Sequence, residues 1–564
     1  MSKQAWNQNT PLPSPSPRAA ALATSLLAAG LCLSPGVSRA CGGTFCDGVM
    51  PVNQTGENIL FVMDAGRTEA HIQIQYDPES GAEKFAWLIP ISAVPEFSVG
   101  SDALFQNLLN ASVPAYGFTT TFEECAEDSP NSAGVDAVGN VAPEGGKDGG
   151  PEVLAEVTVG AFDVVVLSGG TAEEVLTWLQ TEGYDQDPDA APILAEYLAE
   201  GFMFAAFKLN NSANVSEIHP VVLSFEIAEA CVPLRLTRIA AQENMEVRTF
   251  FLSDHRVVPR NYRHVQVNPL KIDWLDRASN YRDVVTRAVD EDRADGRAFV
   301  TEYAGTSEIV QPSGLVQPTW DASIFATIDP IQVSAELQRQ DFLYCEPNFG
   351  CEYYHSLILG ILGKYLPTPE GVEQNEFYAC LECFEEDIDL EAWDSAGFAE
   401  TLQERIVDPG RHATQLLERW PYLTRMYTTI SPAEMTEDPL FYENADLPDV
   451  PNIRQGQRRF LCSGDTLFTL PGGREVFIPA DEGWPEFPDA MPWAEEVDAM
   501  LPAGQPRNLV NNTARIDALL TDYNAARNWP RGGCSCRSSS AGATISILML
   551  FGLFAVVRRR PGHG

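Results

Sequence analysis

The stretch "ENILFVMDAGRTEAHIQIQY", residues 57–76, constrains this chain more than any other. It holds an apolar run, a Gly turn at Gly66, and then strict alternation from Ala70 to Tyr76. Alternation of period two is a strand signature, and a glycine between two such runs makes them an antiparallel pair. His71, Gln73 and Gln75 fall on one face and Ile72, Ile74 and Tyr76 on the other, so the pattern predicts a sheet with one wet side. A Pro-Glu-Ser-Gly turn and a further strand from Lys84 to Ile91 follow. A short helix is then expected over Ser101–Ala111, with Ser101 as its N-cap.

The next local signal is "VTVGAFDVVVLSGG", whose continuous apolar run reads as one strand buried on both faces. "TAEEVLTWLQTEGY" after it reads as a helix opened by a capping box, Thr171 with Glu174, and closed by Gly183. Strand, Gly-Gly and helix could mark a phosphate cradle or a nucleophile elbow at Ser168. Neither signature is complete, since no Gly-x-Gly-x-x-Gly is present and the glycine two places before Ser168 is missing. A plain turn is the expectation. A second helix, Ala190–Glu200, and a strand in "GFMFAAFKLN" complete this part, and strands with turns near Pro233 and Asn244 follow. Residues 279–304, 392–406 and 410–420 have helical spacing.

The fold class that follows is α+β: an antiparallel N-terminal sheet, then mixed α/β units, stabilised by disulfides. Length allows two to four domains. The expected division is a leader and signal peptide over 1–40, a β-rich part of the main domain over 41–125, and a flexible Gly/Pro/Asp/Ser-rich insertion over 126–152. An α/β part over 153–270 and a mixed, helix-rich, Cys-containing region over 271–470 come next. A Pro-rich acidic spacer over 471–533 and a C-terminal tail with a transmembrane segment over 534–564 close the chain.

The two ends indicate location. Arg18, an apolar stretch from Ala19 to Leu33, a break at Pro35-Gly36 and small residues at Ser38 and Ala40 form an export signal cut after Ala40. Cys41 would suit lipidation, but Ser38 and Arg39 depart from that pattern. At the other end, Ala541–Val557 is an apolar segment 17 residues long, followed by Arg558, Arg559 and Arg560. That is the lower limit for a membrane span, with the basic cluster kept inside the cell. Gly533-Cys534-Ser535-Cys536 stands just before it.

Neither terminal segment contains an acid, and together they carry seven Lys and Arg. Residues 41–533 therefore hold 79 acids against 30 bases, a formal charge of −49 where the whole chain has −42. Such a surface repels nucleic acid and anionic membrane. Of the 12 cysteines, nine remain once Cys32, Cys534 and Cys536 are set aside. In an oxidising compartment these form disulfides, with Cys41, Cys46, Cys345, Cys351, Cys380 and Cys383 the local candidates.

The later four of these, Cys345 to Cys383, are the best candidate for a metal. Cys345-x5-Cys351-x3-His355 with Cys380-x2-Cys383 could supply tetrahedral zinc, although the spacing matches no standard knuckle and disulfides are favoured. The alternate oxygens of "FEEDIDLEAWD" could hold calcium, but the loop glycine is absent. No cofactor is the primary expectation, with structural calcium or zinc as the alternative. The basic patch of Arg256, Arg260 and Arg263, bracketed by His255 and His264, is expected to pair with nearby acids rather than bind an anion.

"CGGTFCDG", "GENILFVMD", "HIQIQY", "FAWLIPI", "VVVLSGGTAEEVLTWLQTEGY" and "LTRMYTTISPAEMTEDPLF" together resemble a bacterial secreted family, the domain of unknown function 2330 family, from Cys41 to about Leu470. The resemblance implies export and a shared architecture, and carries no catalytic residues. The tail is similar to the myxobacterial (MYXO-CTERM) surface-sorting signal. That similarity implies processing near Cys534 or Cys536 by a dedicated intramembrane protease and transient anchoring in the inner membrane. Expected partners are the export machinery, that protease, and an envelope or extracellular ligand. Two function classes stay open. One is a noncatalytic surface protein that binds a partner, polymer or cation. The other is an extracellular hydrolase drawing on His71, His219, His255, His264 and the carboxylates of Glu385, Asp387 and Asp389.

Overall fold

The computed structural model describes residues 44–46, 54–64, 66–76, 85–124, 152–181, 190–209, 218–226, 229–346 and 350–529. The export signal, residues 126–151 of the expected 126–152 insertion, Gly183 and the C-terminal tail lie outside the described residues, while Glu152 opens a strand.

Helices and strands form an α+β fold built on two stacked sheets. A five-stranded antiparallel sheet runs in the order Thr44–Cys46, Phe85–Ile91, Met203–Leu209, Phe162–Ser168, Glu152–Val159. Its alternation sets its two faces. Trp87, Ile89, Val164, Val166, Ala205 and Phe207 point to one core, whereas Leu88, Val165, Leu167, Phe204 and Ala206 point to another. The second core is closed by the helices Ala172–Thr181 and Ala190–Ala199. The first is closed by a ten-stranded sheet through Ile59, Phe61, Ala70, Ile72, Phe251 and Met426.

The large sheet is mixed, in the order Arg507–Asn511, Ala494–Ala499, Arg263–Val267, Ala298–Thr306, Tyr422–Ile430, Ala241–Ser253, Gln54–Asp64, Arg67–Tyr76, Val221–Phe225, Glu96–Val99. Its outer face carries Leu60, Val62, Phe250, Leu252 and Leu423. The helices Asp102–Ser112 and Asp408–Arg419 cover them through Leu104, Phe105, Leu108, Ala413 and Leu416. The result is four layers, helix, sheet, sheet, helix. A separate core within residues 320–407 packs the helices Leu357–Tyr365, Gln374–Ala379 and Ser395–Leu402 around Phe325, Ile361 and Phe398.

Local expectations fare well. The 54–64 and 67–76 strands pair antiparallel across Gly66, and Ser101 Oγ accepts from Leu104 N at 3.3 Å. The capping box is present in both directions, with Glu174 N to Thr171 Oγ1 at 3.3 Å and Thr171 N to Glu174 Oε2 at 2.7 Å.

Other expectations are corrected. "VTVGAFDVVVLSGG" is not one strand but the inner part of a hairpin, because Gly160 takes φ +58° and turns the chain. The helical reading of 279–304 holds only over Tyr281–Val289. Ala298–Thr306 is instead a strand, buried at eight of its nine positions between Arg263–Val267 and Tyr422–Ile430. Residues 471–533 are not a spacer over their described part. Glu475–Ile478, Ala494–Ala499 and Arg507–Asn511 join sheets, Thr513–Ala526 is a helix, and Phe487 and Met491 are buried. Finally, the expected wet face of the 67–76 strand is largely covered, and Gln73 is paired there. Asn58 Nδ2 donates to Gln73 Oε1 and Gln73 Nε2 to Asp102 Oδ1, both at 2.8 Å.

The sheet centre holds a buried ion pair. Arg425 Nε donates to Glu302 Oε2 at 2.5 Å, and the two side chains are 4% and 2% exposed. Arg425 Nη1 also caps the C-terminal turn of the 102–112 helix at Leu109 O, 3.0 Å away. Removing one partner strands the other charge in the interior, so Arg425→Met or Glu302→Leu should each cost about 3–5 kcal/mol. The double variant should recover much of that, a difference measurable by denaturant titration.

Asp102 gives a pH test. Burial pushes its carboxyl up to about 6 from an ordinary 3.8, partly opposed by the Gln73 hydrogen bond. The folded state thus holds a proton that the unfolded state releases, and stability should fall as pH rises from about 4 to 6 and stay reduced above. Asp102→Asn keeps an acceptor for Gln73 and should remove that slope. It should raise stability at pH 7.5 by about 2 kcal/mol, after subtracting the lost charge at the helix N-terminus.

Candidate metal centre

The sequence sets a carboxylate and an imidazole two residues apart on one strand, and period-two alternation places both on the same face. Glu69 and His71 therefore look out from the large sheet toward the Asp408–Arg419 helix, which contributes His412. His71 Nε2 and His412 Nε2 each lie 2.6 Å from one atom, Glu69 Oε1. The two rings stack nearly parallel, 5.8 Å apart at 9°. Among the described residues the other carboxylate oxygen, Oε2, has only Ser224 Oγ at 3.5 Å, a long contact from the neighbouring strand.

The environment is graded from core to solvent. His71 is 2% exposed, Glu69 14% and His412 40%, so the group opens to solvent along the His412 side. Burial opposes ionisation of Glu69. The hydrogen bonds from His412 and His71, together with their charges, outweigh it and hold the carboxyl well below the usual range. His71 Nδ1 is buried and has no hydrogen-bond partner among the described residues. An unsatisfied polar atom of that kind costs about 1–3 kcal/mol, so a buried one calls for an explanation. Among the described residues, Glu69, His71 and His412 form the one group of three or more His, Cys, Asp or Glu whose donor atoms could share an ion, all within 4.8 Å of one another.

The other candidate residues are not brought together. His219 is a structural joint. Its Nδ1 lies 2.8 Å from Pro220 O and its Nε2 accepts from Ala161 N at 3.0 Å. Burial, with Arg405 nearby, pulls its imidazole down to about 3. A Cβ on Gly160 would stand 2.2 Å from that Nε2, so the hairpin turn and the histidine require each other. His264 Nε2 lies 2.9 Å from Thr301 Oγ1, and burial lowers it to about 3, whereas His255 is exposed.

The zinc alternative at the cysteine cluster fails because the thiols are consumed. Cys345 is bonded to Cys351 and Cys380 to Cys383, while His355 Nδ1 accepts from Leu357 N at 3.2 Å. Cys462 is disulfide-bonded too, and Cys231 is free. Cys41, the side chain of Cys46, and the processing candidates Ala40, Cys534 and Cys536 lie outside the described residues.

Glu385, Asp387 and Asp389 are exposed, and Asp389 Oδ1 spends itself on the backbone N–H groups of Glu391 and Ala392 at 3.0 and 3.2 Å. The expected pairing of the basic patch with nearby acids holds for Arg260, while Arg256 and Arg263 donate to carbonyl and hydroxyl oxygens. Arg260 meets Glu229, Arg256 donates to Pro448 O and Thr301 Oγ1, and Arg263 donates to Asn261 O. Sequence reasoning missed Glu69 and His412. Glu69 could have been found from its shared face with His71. His412 stands 343 positions from Glu69, and no local pattern announces it.

Comparison with known proteins adds a family and no activity. No curated protein and no solved structure matches the chain. The family model described as "Uncharacterized protein conserved in bacteria (DUF2330)" matches residues 35–318, which include Glu69 and His71 and stop short of His412. With half of its length matched, the chain belongs to the DUF2330 family.

Proposed function

We propose that this protein is exported, sorted to the cell surface by its C-terminal tail, and serves there as a noncatalytic binding protein of the envelope. The observation that carries the reading is the disulfide complement. Cys345–Cys351, Cys380–Cys383 and the bonded Cys462 need an oxidising compartment, and cytosolic thiols stay reduced. The acidic body, at −49, suits solvation outside the cell and disfavours nucleic acid and anionic lipid as partners. Among the described residues no helix is long and apolar enough to cross a membrane. In this reading membrane contact belongs to the tail, held in transit by the inner membrane and cut near Cys534 or Cys536.

The rival reading, an extracellular hydrolase, gains one observation from the Glu69 centre, where a carboxylate and two imidazoles meet at a solvent-reachable point. Activity of the purified protein toward protease, glycosidase or esterase substrates, lost in Glu69→Gln, would favour it.

Mass spectrometry of the protein isolated from the native envelope tests the main reading. The expected mature chain starts at Cys41, ends near Cys534 and contains the two local disulfides. A chain that retains Leu548–Val557 would make the tail a permanent anchor. Reduced cysteines at 345 and 351 would place the body in the cytoplasm.

A further inference from the structure

We propose that Glu69, His71 and His412 bind one divalent transition-metal ion of the zinc class, with a fourth coordination position open on the His412 side. The donor set decides the class of ion. Two imidazole nitrogens and one carboxylate oxygen suit zinc and its neighbours, whereas calcium and magnesium require oxygen ligands throughout.

The geometry is close to what an ion needs. A tetrahedral zinc with bonds of about 2.0–2.1 Å holds its ligand atoms about 3.3 Å apart. In this structure each nitrogen stands 2.6 Å from Glu69 Oε1, and no two donors are further apart than 4.8 Å. An ion therefore asks each Nε2 to retreat from the oxygen by about 0.7 Å. His412 can do so by side-chain rotation, because it projects from a helix surface and is 40% exposed.

The hydrogen bonding supports a shared cation independently of the donor count. Both imidazoles converge on one carboxylate oxygen, while among the described residues the other oxygen has a single 3.5 Å contact. This is poor economy for a hydrogen-bonded cluster. It is the natural arrangement of three donors gathered around one point.

The site is also bipartite. Glu69 and His71 belong to the family-matched part and His412 lies 94 residues beyond its last matched residue, 318. A bound ion would fasten the 408–419 helix to the outer face of the sheet. This inference does not depend on where the protein resides, so it survives or fails separately from export and sorting.

The test is calorimetric titration of the metal-stripped, full-length mature protein with Zn2+ in excess Ca2+. The calcium occupies the many surface carboxylates but competes poorly for imidazole. One Zn2+ per chain is expected, with an upward shift of the thermal transition. His412→Ala and Glu69→Gln should each weaken binding by at least about 100-fold, while His255→Ala, at an exposed histidine outside the site, should not. His412 sits near the surface, so its variant should fold, and far-UV circular dichroism checks this. Co2+ in place of Zn2+ should give a visible ligand-field spectrum that vanishes in His412→Ala. No stoichiometric Zn2+ binding, or unchanged binding and spectrum in folded His412→Ala, would overturn the proposal.

Discussion

The arrangement of the outer layer hangs on Arg425. Its guanidinium is buried, and a buried charge is tolerable only if its hydrogen-bonding capacity is used. Arg425 spends one N–H on Glu302 in the adjacent strand, another on the last turn of the 102–112 helix, and stacks over Phe250 at 5.5 Å. The helix is thereby fixed at its C-terminal end. Its first residue, Asp102, then meets Gln73, and Gln73 meets Asn58, all on the sheet face that carries Glu69 and His71. A charge near the middle of the sheet thus sets the position of the polar row in which the candidate metal centre lies.

That dependence explains why some of this architecture could be read from sequence and some could not. Period-two alternation identified the 67–76 strand and correctly split its faces, because alternation is a local property of a pleated backbone. Whether the polar face meets water is decided by elements far away in the chain. The 102–112 and 408–419 helices turned a wet face into a lined one. The capping box at Thr171 was equally legible, since both of its hydrogen bonds close within four residues.

The failures share a cause. "AFVTEYAGT" has no strong alternation because both of its faces are buried, and a continuously buried strand resembles a helix in spacing alone. The Pro-rich residues after 471 looked like a spacer for want of periodicity. Their Trp and Phe side chains nevertheless find partners across the chain, as when Trp484 Nε1 donates to Leu270 O at 2.9 Å. His412 is the same case at the site, a ligand supplied by a helix that the strand pattern cannot foresee.

The family match ends at residue 318, yet the fold does not. The strand Tyr422–Ile430 pairs along its whole length with Ala241–Ser253 on one side and over Tyr422–Tyr427 with Ala298–Thr306 on the other, both within the match. Without it, two long buried strands would face each other across a gap with unpaired backbone groups, a cost far beyond that of a loose end. "RMYTTI" is therefore specific because it fills an interior slot. Thr424, Met426, Thr428 and Ile430 are buried, while Arg425 holds the ion pair from the opposite face. Residues after 318 complete the matched region twice over, with a central strand for its sheet and a third donor for its polar row. The sheet and the Glu69–His71–His412 centre are for this reason one construction, each completed by residues beyond the match.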